Sequence, residues 1–478
     1  MKIVVCVKPT ASGELNPFEG AAYENALRIP GAEVILLSMA PESAADFLRL
    51  QTRLGAREAI LLSDVAFAGS DTLATSYILS LALQKLSPDY IFCGRQTLEG
   101  DTGQVGIGIA TRLKFDFATR VMECSCDGRA ISVRTRGGTI KRLLPPSLLT
   151  FERICDVRLP SIRSKTGPVR ILHAADLCAD LQKCGTAGSP TQVKRSFENA
   201  DGQKKCVFVP PEQVPELLRK LRAQPAQRTM PEKEYGEKLP MIWVYGEKAV
   251  PMAKTVGEQV VLKEIADPDR VLSEISEGKP DAVLWESTET GRECAAAVAT
   301  LLQTGLCADC VLLETDGKEL LMTRPAFAGN RMATIVCKTK PAMATIRTES
   351  DTPELLISAG AGAADALPAL KELAVAAGAG LMGSRKAVDA GLLPYDAQVG
   401  LTGRTVAPKV YVAVGISGAV HHLVGIRGAE KVVAVNPDRS APIFRYADYG
   451  VLTDADSFVR IMSRAEEPGR GQAGGVRE

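Results

Sequence analysis

The sequence of 478 residues is too long for one ordinary hydrophobic core and predicts about two to four domains. Apolar residues make up 46% and charged residues 24%, a composition typical of globular proteins. Lys and Arg total 57 against 56 for Asp and Glu, so the sequence lacks the excess of positive charge that would favour nucleic acid or a membrane surface as the main partner.

The N-terminal third predicts a Rossmann-type α/β sheet. Its short apolar runs are separated by helix-period segments, and each run is apolar on both faces, which is typical of buried parallel strands. The runs are KIVVCV, EVILLSM, EAILLSD and DYIFCGR. The first is shorter than the core of a signal peptide, about 7–15 residues, and no run reaches the roughly 20 residues of a membrane span. We therefore expect no membrane insertion and a cytoplasmic protein, with an organelle matrix as the alternative.

The chain contains an internal repeat. The segment that begins SPDYIFCGRQTLEGD matches in pattern the segment that begins KPDAVLWESTETGRE, at an offset of 192 residues for Pro88 and Pro280. The offset has fallen to 189 at Asp127 and Asp316, so the second copy lacks three residues between its strand and its helix. We infer two related α/β domains, one of which has lost part of a loop.

The loop in the first copy, GRQTLEGDTGQVGIG, follows a strand and opens a helix. Free backbone N–H groups and the helix dipole favour a phosphate at such a place, although an ordinary strand-to-helix turn explains the same glycines. The P-loop pattern is absent from the chain. We do not expect the shortened second copy to hold the same phosphate.

The last third again predicts a parallel α/β unit, with strands in ELLISAGAG, KVYVAVGISG and KVVAVNPD and helices in DALPALKELAVAAG and DADSFVRIMSRA. Its ligand should lie at the carboxyl ends of the strands. GAGLMG has the dinucleotide-binding spacing but follows a helix, which predicts a helix C-cap and a short strand instead.

The cysteines and histidines predict no metal centre. Most of the 12 cysteines stand in apolar runs, as buried, reduced thiols do in the cytosol. Cys307 and Cys310 have the spacing of a zinc or redox pair, but no second pair of ligands lies near them in sequence. His421 and His422, inside VGISGAVHHLVGI, would point about 100° apart on a helix, which argues against both binding one metal ion.

Polar residues recur at strand ends in the last unit. Convergent hydroxyl, guanidinium and amide groups beside glycine turns suit a ligand with a pyrophosphate and a flat polar ring. The alternative is a set of helix caps and turns, which the same residue types provide in any α/β domain. The positions at or just after an apolar run are Ser384-Arg385, Thr402-Gly403, Ser417-Gly418 and Asn436.

These segments resemble electron transfer flavoprotein, with its small β subunit fused ahead of its large α subunit. NPFEGAAYENALRI and GRQTLEGDTGQVG are similar to nucleotide-binding segments of the β subunit. SRKAVDAG, QVGLTGRTVAPKVYVAVGISGAVHHLVGI, VVAVNPDRSAPIF and ADYGVLTD are similar to the FAD domain of the α subunit. The resemblance extends from Met1 to about Met462. It implies two related Rossmann-like parallel-sheet domains followed by a C-terminal parallel α/β FAD-binding domain.

Domain boundaries follow from the resemblance and from the composition of the linker and the tail. We expect a β-subunit-like nucleotide-binding domain with a C-terminal arm over residues 1–223 and a polar linker over 224–238. The N-terminal domain of the α subunit would occupy 239–348 and its FAD-binding domain 353–465. Residues 466–478 form a tail that we expect to be disordered.

The resemblance implies roles for three residues in the FAD-binding domain. Arg385 would lie against the isoalloxazine, where its positive charge favours the reduced, anionic flavin. Thr402 would donate a hydrogen bond near flavin N5, and His422 would approach the pyrimidine-ring oxygen. The other residues implied to bind this flavin are Ser384, Val399, Gly400, Leu401, Ser417, Gly418, Ala419, Val420, His421, Asn436 and Asp454.

The resemblance implies a second nucleotide site in the β-like domain. Ordinary members of the family keep AMP there, whereas members that bifurcate electrons carry a second FAD that NADH reduces. SDVAFAGSDTLATS, EGDTGQVG, AGSPTQV and MTRPAFAGN are more similar to the bifurcating branch, so we expect two FAD molecules rather than one FAD and one AMP. The residues implied are Cys6, Asn16, Pro17, Phe18, Glu19, Met39, Gly100, Asp101, Thr102, Gly103, Gln104, Val105 and Gly106.

The sequence departs from the family pattern at several positions. Ala361 stands where an arginine would meet the cofactor, Leu401 replaces an amide side chain, and His421 replaces a glutamine. Ala397 stands before Gln398, where the bifurcating branch often has histidine. The loss of one cationic and one amide contact, at about 1.5–3 kcal/mol for each hydrogen bond to a charged group, would weaken flavin binding or alter the flavin potential.

The resemblance implies an electron carrier between a flavin dehydrogenase, such as an acyl-CoA dehydrogenase, and another redox partner. As a bifurcating variant it would oxidise NADH and send one electron to a ferredoxin or flavodoxin. One alternative is an FAD and AMP carrier without bifurcation. Another, which Ala361 and Leu401 favour, is a nucleotide-binding regulatory protein without redox activity. We also consider a homodimer.

Overall fold

The chain divides into two compact units, each with its own sheets and core. The first unit comprises Met1–Glu198 and Lys233–Thr348, and the second comprises Asn199–Glu232 and Glu349–Glu478. No helix in the described ranges is long and apolar enough to cross a membrane. The computed structural model describes residues 1–10, 13–97, 99–198, 204–224, 237–327, 331–347, 353–400, 403–404, 406–426 and 428–466.

The elements up to residue 198 are β1 (Lys2–Cys6), α1 (Pro17–Arg28), β2 (Glu33–Met39), α2 (Ala45–Thr52), β3 (Glu58–Leu62), α3 (Thr72–Leu86), β4 (Tyr90–Gly94), α4 (Val105–Leu113), β5 (Asp116–Asp127), β6 (Ala130–Thr135), β7 (Ile140–Leu143), β8 (Ser147–Phe151), β9 (Val169–Leu172), α5 (Ala174–Leu177) and β10 (Thr191–Glu198). The second unit then contributes β11 (Val207–Phe208) and α6 (Val214–Ala223). The first unit resumes with β12 (Leu239–Tyr245), α7 (Val250–Val256), β13 (Gly257–Lys263), α8 (Pro268–Gly278), β14 (Ala282–Glu286), α9 (Glu289–Leu302), β15 (Leu306–Cys310), β16 (Leu312–Thr315), β17 (Leu320–Ala326), β18 (Arg331–Cys337) and β19 (Ala342–Ile346). The second unit ends with β20 (Leu355–Ala359), α10 (Leu367–Ala376), β21 (Gly380–Gly383), α11 (Arg385–Asp389), β22 (Val410–Val414), α12 (Val420–Ile426), β23 (Lys431–Val435), β24 (Tyr449–Val451) and α13 (Ala455–Glu466).

The first unit contains two sheets whose cores have the same strand order. The nine-stranded sheet has the order β7-β6-β5-β8-β4-β1-β2-β3-β9, and its strands from β5 to β9 in that order are parallel. The five-stranded sheet has the order β13-β12-β14-β19-β15 and is wholly parallel. The run β5-β8-β4-β1-β2 therefore corresponds strand by strand to β15-β19-β14-β12-β13. This correspondence supports the internal repeat, and the predicted α/β class with parallel sheets is confirmed.

Equivalent helices of the two repeats pack against each other. α4 follows β4 and α9 follows β14, and Ile107 of α4 lies in the same hydrophobic cluster as Ala295 and Val298 of α9. A Cβ atom on Gly108 would lie 3.0 Å from Ser76 and 3.3 Å from the Thr300 hydroxyl, so α4 approaches both neighbouring helices closely. β10 also crosses between the repeats, because it pairs with β18 in a four-stranded antiparallel sheet of order β10-β18-β17-β16.

The second unit is a six-stranded parallel sheet of order β11-β24-β23-β22-β20-β21. Its central strands are buried along their whole length, as apolar runs predict. The chain leaves β20 toward β21 on one side and then continues from β22 to β24 on the other. The order of the strands thus reverses between β20 and β22, which is where open α/β sheets bind ligands.

The C-terminal arm that we predict for residues up to 223 packs with the second unit. β11 extends its sheet, and Val214, Leu218 and Leu221 of α6 are buried in its hydrophobic core. GAGLMG begins after α10, where Gly378 has φ +59°, and ends in β21, so its prediction as a helix end and short strand is confirmed. Most of the predicted linker and tail, at 224–238 and 466–478, lies outside the described residues.

Candidate functional site

The polar residues predicted to bind a ligand in the second unit gather at one edge of its sheet. Ser384 follows β21, Ser417 and Gly418 follow β22, and Asn436 follows β23. Because all six strands are parallel, their carboxyl ends meet at the same edge. Asp454 follows β24 at this edge too. The structure therefore brings these five residues to the crevice between β20 and β22 and its flanks.

Glycines let the loops at this edge approach each other more closely than side chains would permit. A Cβ atom on Gly360, directly after β20, would lie only 2.0 Å from the Gly415 carbonyl oxygen. Gly415 and Gly418 have φ of +64° and +89°, in the left-handed region that favours glycine. A Cβ atom on Gly418 would lie 2.3 Å from the backbone nitrogen of Ile443. The loop from Gly415 to Gly418, here called the glycine cradle, therefore presents backbone at the crevice.

Asn436 and Asp454 hold the surrounding loops in place. Asn436 Nδ2 donates to the Ile416 carbonyl at 3.1 Å, and Asn436 Oδ1 accepts from the Asp438 N–H at 2.9 Å. The Asp454 carboxylate accepts from the Ser457 N–H at 2.8 Å at the start of α13. This hydrogen bond from the Ser457 backbone lowers the pKa of Asp454, as expected for an anionic helix cap. Both side chains thus order the edge of the site.

Arg385 lies at the entrance to the crevice and is weakly held. Ser384 Oγ caps α11 by accepting from the Ala387 N–H at 3.4 Å, which places Arg385 in the first turn. Arg385 Nε pairs with Asp389 Oδ2 at 3.1 Å, but the two side chains are 43% and 58% exposed. Exposed pairs of this kind contribute about 0–1 kcal/mol, so a ligand could redirect the guanidinium at little cost.

Some predicted flavin contacts fall where the structure gives no side-chain description. Leu401 and Thr402 lie outside the described residues. Val420 and His421 belong to α12, but their side chains are outside the described part. Ala419 is exposed at the end of the glycine cradle, and Ala361 is exposed on the loop after β20.

Backbone hydrogen bonds join the residues that the structure describes on either side of positions 401 and 402. The Val399 N–H donates to the Gly383 carbonyl at 2.8 Å, and the Gly400 N–H donates to the Arg404 carbonyl at 3.1 Å. The Gly403 N–H donates to the Gly400 carbonyl at 3.0 Å. Val399 is 1% exposed, so it supports the loop from the interior.

His422 carries the clearest sign of a missing partner in this unit. Its side chain is only 6% exposed, and Nε2 lies 2.9 Å from the hydroxyl of Tyr411 on β22. The other ring nitrogen, Nδ1, is buried and makes no hydrogen bond of regular geometry. Burial lowers the pKa of His422 to about 4, and the backbone of Val399 counteracts this only in part. The imidazole is therefore neutral, and its Nδ1 has the capacity for one further hydrogen bond of regular geometry.

These features fit a flavin nucleotide. The glycine cradle lies at the carboxyl edge of the parallel sheet, where open α/β folds bind the pyrophosphate of a nucleotide. An unpaired buried nitrogen costs about 1–3 kcal/mol, which a polar atom of the flavin ring would recover. The guanidinium of Arg385 stands at the same edge for an anionic group.

In the first unit, Asn16 and Phe18, two of the residues predicted to bind a nucleotide, contact the loop that follows β4. Asn16 Oδ1 caps α1 by accepting from the Phe18 N–H at 3.1 Å, and Asn16 Nδ2 donates to the Gln96 carbonyl at 2.8 Å. The ring of Phe18 packs 4.6 Å below the guanidinium carbon of Arg95. Pro17 begins α1, and its fixed φ suits the first helical position.

Glu19 is a buried carboxyl group at the carboxyl ends of β1 and β4. It is 6% exposed, and its Oε2 accepts from the Lys8 N–H at 2.6 Å. A Cβ atom on Gly94 would lie 2.9 Å from Glu19, so the backbone of β4 packs directly against it. Burial raises the pKa of Glu19 to about 8. Cys6 and Met39, which end β1 and β2, are half-buried at the same edge.

The predicted phosphate loop in the first unit runs from Gly100 to Gly106 and leads into α4. Asp101 and Gly103 have φ of +57° and +68°, which turn the backbone sharply. Gly106 packs against β8, because a Cβ atom there would lie 2.8 Å from Thr150 Cγ2. Thr102 and Val105 are half-buried at the loop and at the start of α4.

Gln104 faces inward, away from the position that we predicted for a ligand contact. Its Oε1 accepts from the Thr72 hydroxyl at 2.8 Å, and its Nε2 donates to the Leu306 carbonyl at 3.3 Å. Gln104 is 8% exposed. It therefore ties the phosphate loop to α3 and to the second repeat.

An arginine from the second repeat clamps this loop. Arg324 of β17 is 4% exposed and donates to the Gly100 carbonyl at 2.7 Å and to the Asp101 carbonyl at 2.9 Å. The Phe327 N–H donates to the Glu99 carbonyl at 3.1 Å. Three consecutive carbonyls of the loop thus face the second repeat.

In the second repeat, the start of α9 corresponds to the start of α4, and it carries a carboxylate. Thr288 caps α9 by accepting from the Gly291 N–H at 3.0 Å, and Glu289 occupies the first helical turn. An acidic side chain satisfies the positive end of the helix dipole and repels a phosphate. This arrangement agrees with the expectation that the shortened loop holds no phosphate.

Cys307 and Cys310 lie within the hydrophobic core of the second repeat. Cys310 Sγ donates to the Cys307 carbonyl at 3.7 Å, and burial raises the pKa of the Cys310 thiol. Within the described ranges, no group of three or more His, Cys, Asp and Glu side chains is placed to hold a metal ion.

Comparison with protein families agrees with this geometry. The family profile described as "Electron transfer flavoprotein domain" matches residues 3–177 and 269–376, and the profile described as "Electron transfer flavoprotein FAD-binding domain" matches residues 351–427. The chain is 37% identical over 241 residues to the electron transfer flavoprotein subunit alpha of Thermoanaerobacterium thermosaccharolyticum, a match that covers 40% of the chain and 73% of that protein. The chain belongs to the electron transfer flavoprotein family.

Two further relatives have different names. Protein FixA of Azorhizobium caulinodans is 39% identical over 215 residues, which cover 41% of the chain and 76% of that protein. The acryloyl-CoA reductase electron transfer subunit beta of Anaerotignum propionicum is 33% identical over 271 residues, which cover 41% of the chain and 74% of that protein. The match to the FAD-binding domain includes the glycine cradle and His422, and it supports a flavin cofactor for this electron transfer flavoprotein.

Sequence reasoning missed three residues that shape the sites of this electron transfer flavoprotein. Tyr411 and Arg324 were polar side chains inside apolar strands, which is a signal that could have indicated buried partners. Glu152, at the end of β8, is fully buried and pairs with Arg95 at 3.2 Å and Arg120 at 3.3 Å. Burial alone would raise the pKa of Glu152, but the arginines around it hold that pKa below its ordinary value.

The buried carboxyl of Glu19 makes a prediction for the pH dependence of stability. The unfolded carboxyl ionises near 4.5 and the folded one near 8, so between these values the folded state binds more protons and its stability falls as pH rises. At about 1.4 kcal/mol per pKa unit, the loss between pH 5 and pH 8 is no more than about 4 kcal/mol. Urea unfolding of Glu19→Gln should show a smaller loss than the wild type over this range.

Glu42→Gln is the matched control, because Glu42 is exposed in the same unit. It should lose as much stability as the wild type between pH 5 and pH 8. An equal loss in Glu19→Gln would show that Glu19 does not hold its proton in the folded protein.

The Arg324 clamp makes a second prediction. Arg324→Gln removes charged donors from two partly buried carbonyls, at about 1.5–3 kcal/mol for each hydrogen bond, and should loosen the phosphate loop. Hydrogen–deuterium exchange in a peptide spanning residues 95–108 should become faster by about tenfold or more. Arg331→Gln, an exposed arginine on β18, should leave that exchange unchanged. Unchanged exchange in Arg324→Gln would rule out the clamp.

Proposed function

We propose that this chain is a fused electron transfer flavoprotein that carries electrons between a dehydrogenase and a second redox partner through FAD at the glycine cradle. The observation that carries the proposal is the unpaired, buried Nδ1 of His422 beside that cradle, inside the segment that matches the FAD-binding domain. Most buried polar atoms in proteins are hydrogen-bonded, so an unpaired ring nitrogen inside the segment that matches the FAD-binding domain supports a site that a ligand atom completes.

The fusion of two subunits rests on the distribution of the matches. Relatives named FixA and electron transfer flavoprotein subunit alpha each align to about two fifths of the chain, 41% and 40%. The electron transfer flavoprotein domain matches two separate segments, 3–177 and 269–376, and the corresponding sheets repeat one strand order. One polypeptide would fix the stoichiometry of the two subunits and keep them at a high effective concentration.

The residues at the cradle would bind and orient the flavin. FAD, when bound, accepts electrons and releases them at its isoalloxazine ring. The backbone of Gly415 to Gly418 would receive the pyrophosphate, and His422 would hydrogen-bond the pyrimidine edge of the ring. Arg385, freed from Asp389, would place positive charge near the ring and favour its reduced form. Thr402 would donate near N5.

A second nucleotide would bind in the first unit, and we favour FAD in a bifurcating variant. The glycines of the phosphate loop, the start of α4 and the arginines near Glu152 supply backbone N–H groups and positive charge at one sheet edge. NADH would reduce this second FAD. One electron would pass to a low-potential ferredoxin or flavodoxin and the other through the cradle flavin to a dehydrogenase.

An acyl-CoA dehydrogenase-type protein is the partner that we favour, because one relative is named as an electron transfer subunit of acryloyl-CoA reductase. An AMP in the first unit would instead make the chain an electron carrier without bifurcation. Ala361 and Leu401, which stand where the family has a cationic and an amide side chain, favour a third function, a nucleotide-binding regulatory protein without redox activity.

Counting the nucleotides released from the purified chain separates these functions. Absorbance and mass spectrometry after mild denaturation should give two FAD molecules per chain, and NADH should bleach flavin absorbance without a partner protein. One FAD with one AMP, and no bleaching by NADH, would overturn bifurcation and keep the carrier. A protein that releases no flavin and takes up none on incubation with FAD would overturn both.

A further inference from the structure

Tyr411 is the one described side chain that hydrogen-bonds the His422 ring. It lies on β22, is fully buried, and its hydroxyl is 2.9 Å from His422 Nε2. Burial raises the pKa of Tyr411, so the hydroxyl keeps its proton at neutral pH. The histidine is neutral too, so the two rings share two protons between three polar positions: the Tyr411 oxygen, Nε2 and Nδ1.

Two arrangements of those protons are possible. In the first, the Tyr411 hydroxyl donates to Nε2, and the proton of the imidazole is on Nδ1. In the second, Nε2 carries the proton and donates to the Tyr411 oxygen, so the Tyr411 proton needs another acceptor. Nδ1 is then an acceptor with no donor near it.

The surroundings of Tyr411 favour the first arrangement. Ser358 of β20 is the neighbouring hydroxyl that lowers the pKa of Tyr411, but its Oγ makes no hydrogen bond of regular geometry. In the second arrangement the Tyr411 proton would depend on this poorly aligned hydroxyl, and Nδ1 would be a buried acceptor without a donor. A buried acceptor without a donor costs about 1–3 kcal/mol, whereas in the first arrangement the Nδ1–H approaches the Val399 backbone, which raises the pKa of His422, although without a hydrogen bond of regular geometry.

We propose that Tyr411 is a positioning residue that fixes His422 as the neutral Nδ1–H tautomer, so that the ligand at the glycine cradle meets a hydrogen-bond donor. This inference rests on the proposed flavin site. It adds that the contact is a neutral N–H and that a tyrosine behind the ring determines which nitrogen donates. An acceptor atom such as a carbonyl oxygen of the flavin would pair with it, and a donor group would be rejected.

The tautomer has a consequence for the bound flavin. An N–H that faces a flavin oxygen stabilises negative charge on that oxygen and raises the reduction potential. Because His422 cannot take up a second proton near neutral pH, its own contribution to the potential should not change between pH 6 and pH 8.

Nitrogen NMR reads the tautomer directly. The chain has three histidines, His173, His421 and His422, so 15N-histidine labelling gives few signals, and His173→Gln and His421→Gln identify those two residues. In the protein with its native cofactors, His422 should show a protonated Nδ1 and an unprotonated Nε2. A protonated Nε2 with a bare Nδ1 would overturn the proposal, and no variant of Tyr411 is needed for this result.

Tyr411→Phe tests the positioning role, and Tyr449→Phe on β24 of the same sheet is the matched control. In Tyr411→Phe the imidazole should shift to the Nε2–H tautomer, the FAD dissociation constant should rise roughly five- to tenfold for the loss of one hydrogen bond, and the flavin potential should become less positive. Tyr449→Phe should change none of these. A wild-type tautomer and potential in Tyr411→Phe would overturn the inference while leaving the flavin site intact.

The two proposals fail differently. If wild-type protein binds no FAD at the cradle, the proposed function fails. If FAD binds and His422 presents a bare Nδ1, only the role of Tyr411 fails.

Discussion

The meeting of two loops at the carboxyl ends of β20 and β22 is the constraint on which the second unit depends. Gly360 and Gly415 approach until a Cβ atom on the first would overlap the carbonyl oxygen of the second. Neighbouring parallel strands whose connections leave in opposite directions open a crevice there, and glycine backbone lines it. Such backbone suits a pyrophosphate, and β22, which ends just before Gly415, also carries Tyr411, whose hydroxyl lies 2.9 Å from His422 Nε2. The strand β22 therefore determines both how the two loops pack and where the His422 ring lies.

The first unit contains one α/β design in two copies that differ at the loop after their equivalent strands β4 and β14. Its two repeats have the same strand order, and α4 and α9 stand in equivalent places. The first repeat keeps glycines and a free helix start, whereas the second has lost three residues and carries Glu289 there. The second repeat nevertheless contributes Arg324 to the loop of the first. The second repeat thus stabilises a loop of the first.

Much of the fold follows from local sequence patterns, because apolar runs and glycine turns determine single elements. The buried strands, the short strand in GAGLMG and the polar residues at the strand ends were all predictable in this way. The partners of those residues were not. Tyr411 and His422 are eleven residues apart, and Arg324 lies more than two hundred residues from Gly100. Such contacts depend on register and topology, which periodicity does not specify.

The inward orientation of Gln104 also depends on contacts with residues that are distant in sequence. Its position in a glycine-rich loop predicted a ligand contact, yet its amide bridges Thr72 and Leu306 from two other elements. Asp454 likewise serves as a helix cap, which the residue types at the strand ends allow as an alternative to ligand binding. Side-chain direction in a loop is set by the partners that the fold supplies.

The most direct test of the account is a crystal structure of the chain with its native cofactors. The account predicts an FAD whose pyrophosphate lies against the backbone from Gly415 to Gly418 and whose ring oxygen lies within about 3 Å of His422 Nδ1. A flavin bound elsewhere, or a ring whose nearest protein atom at that edge is not His422 Nδ1, would contradict it.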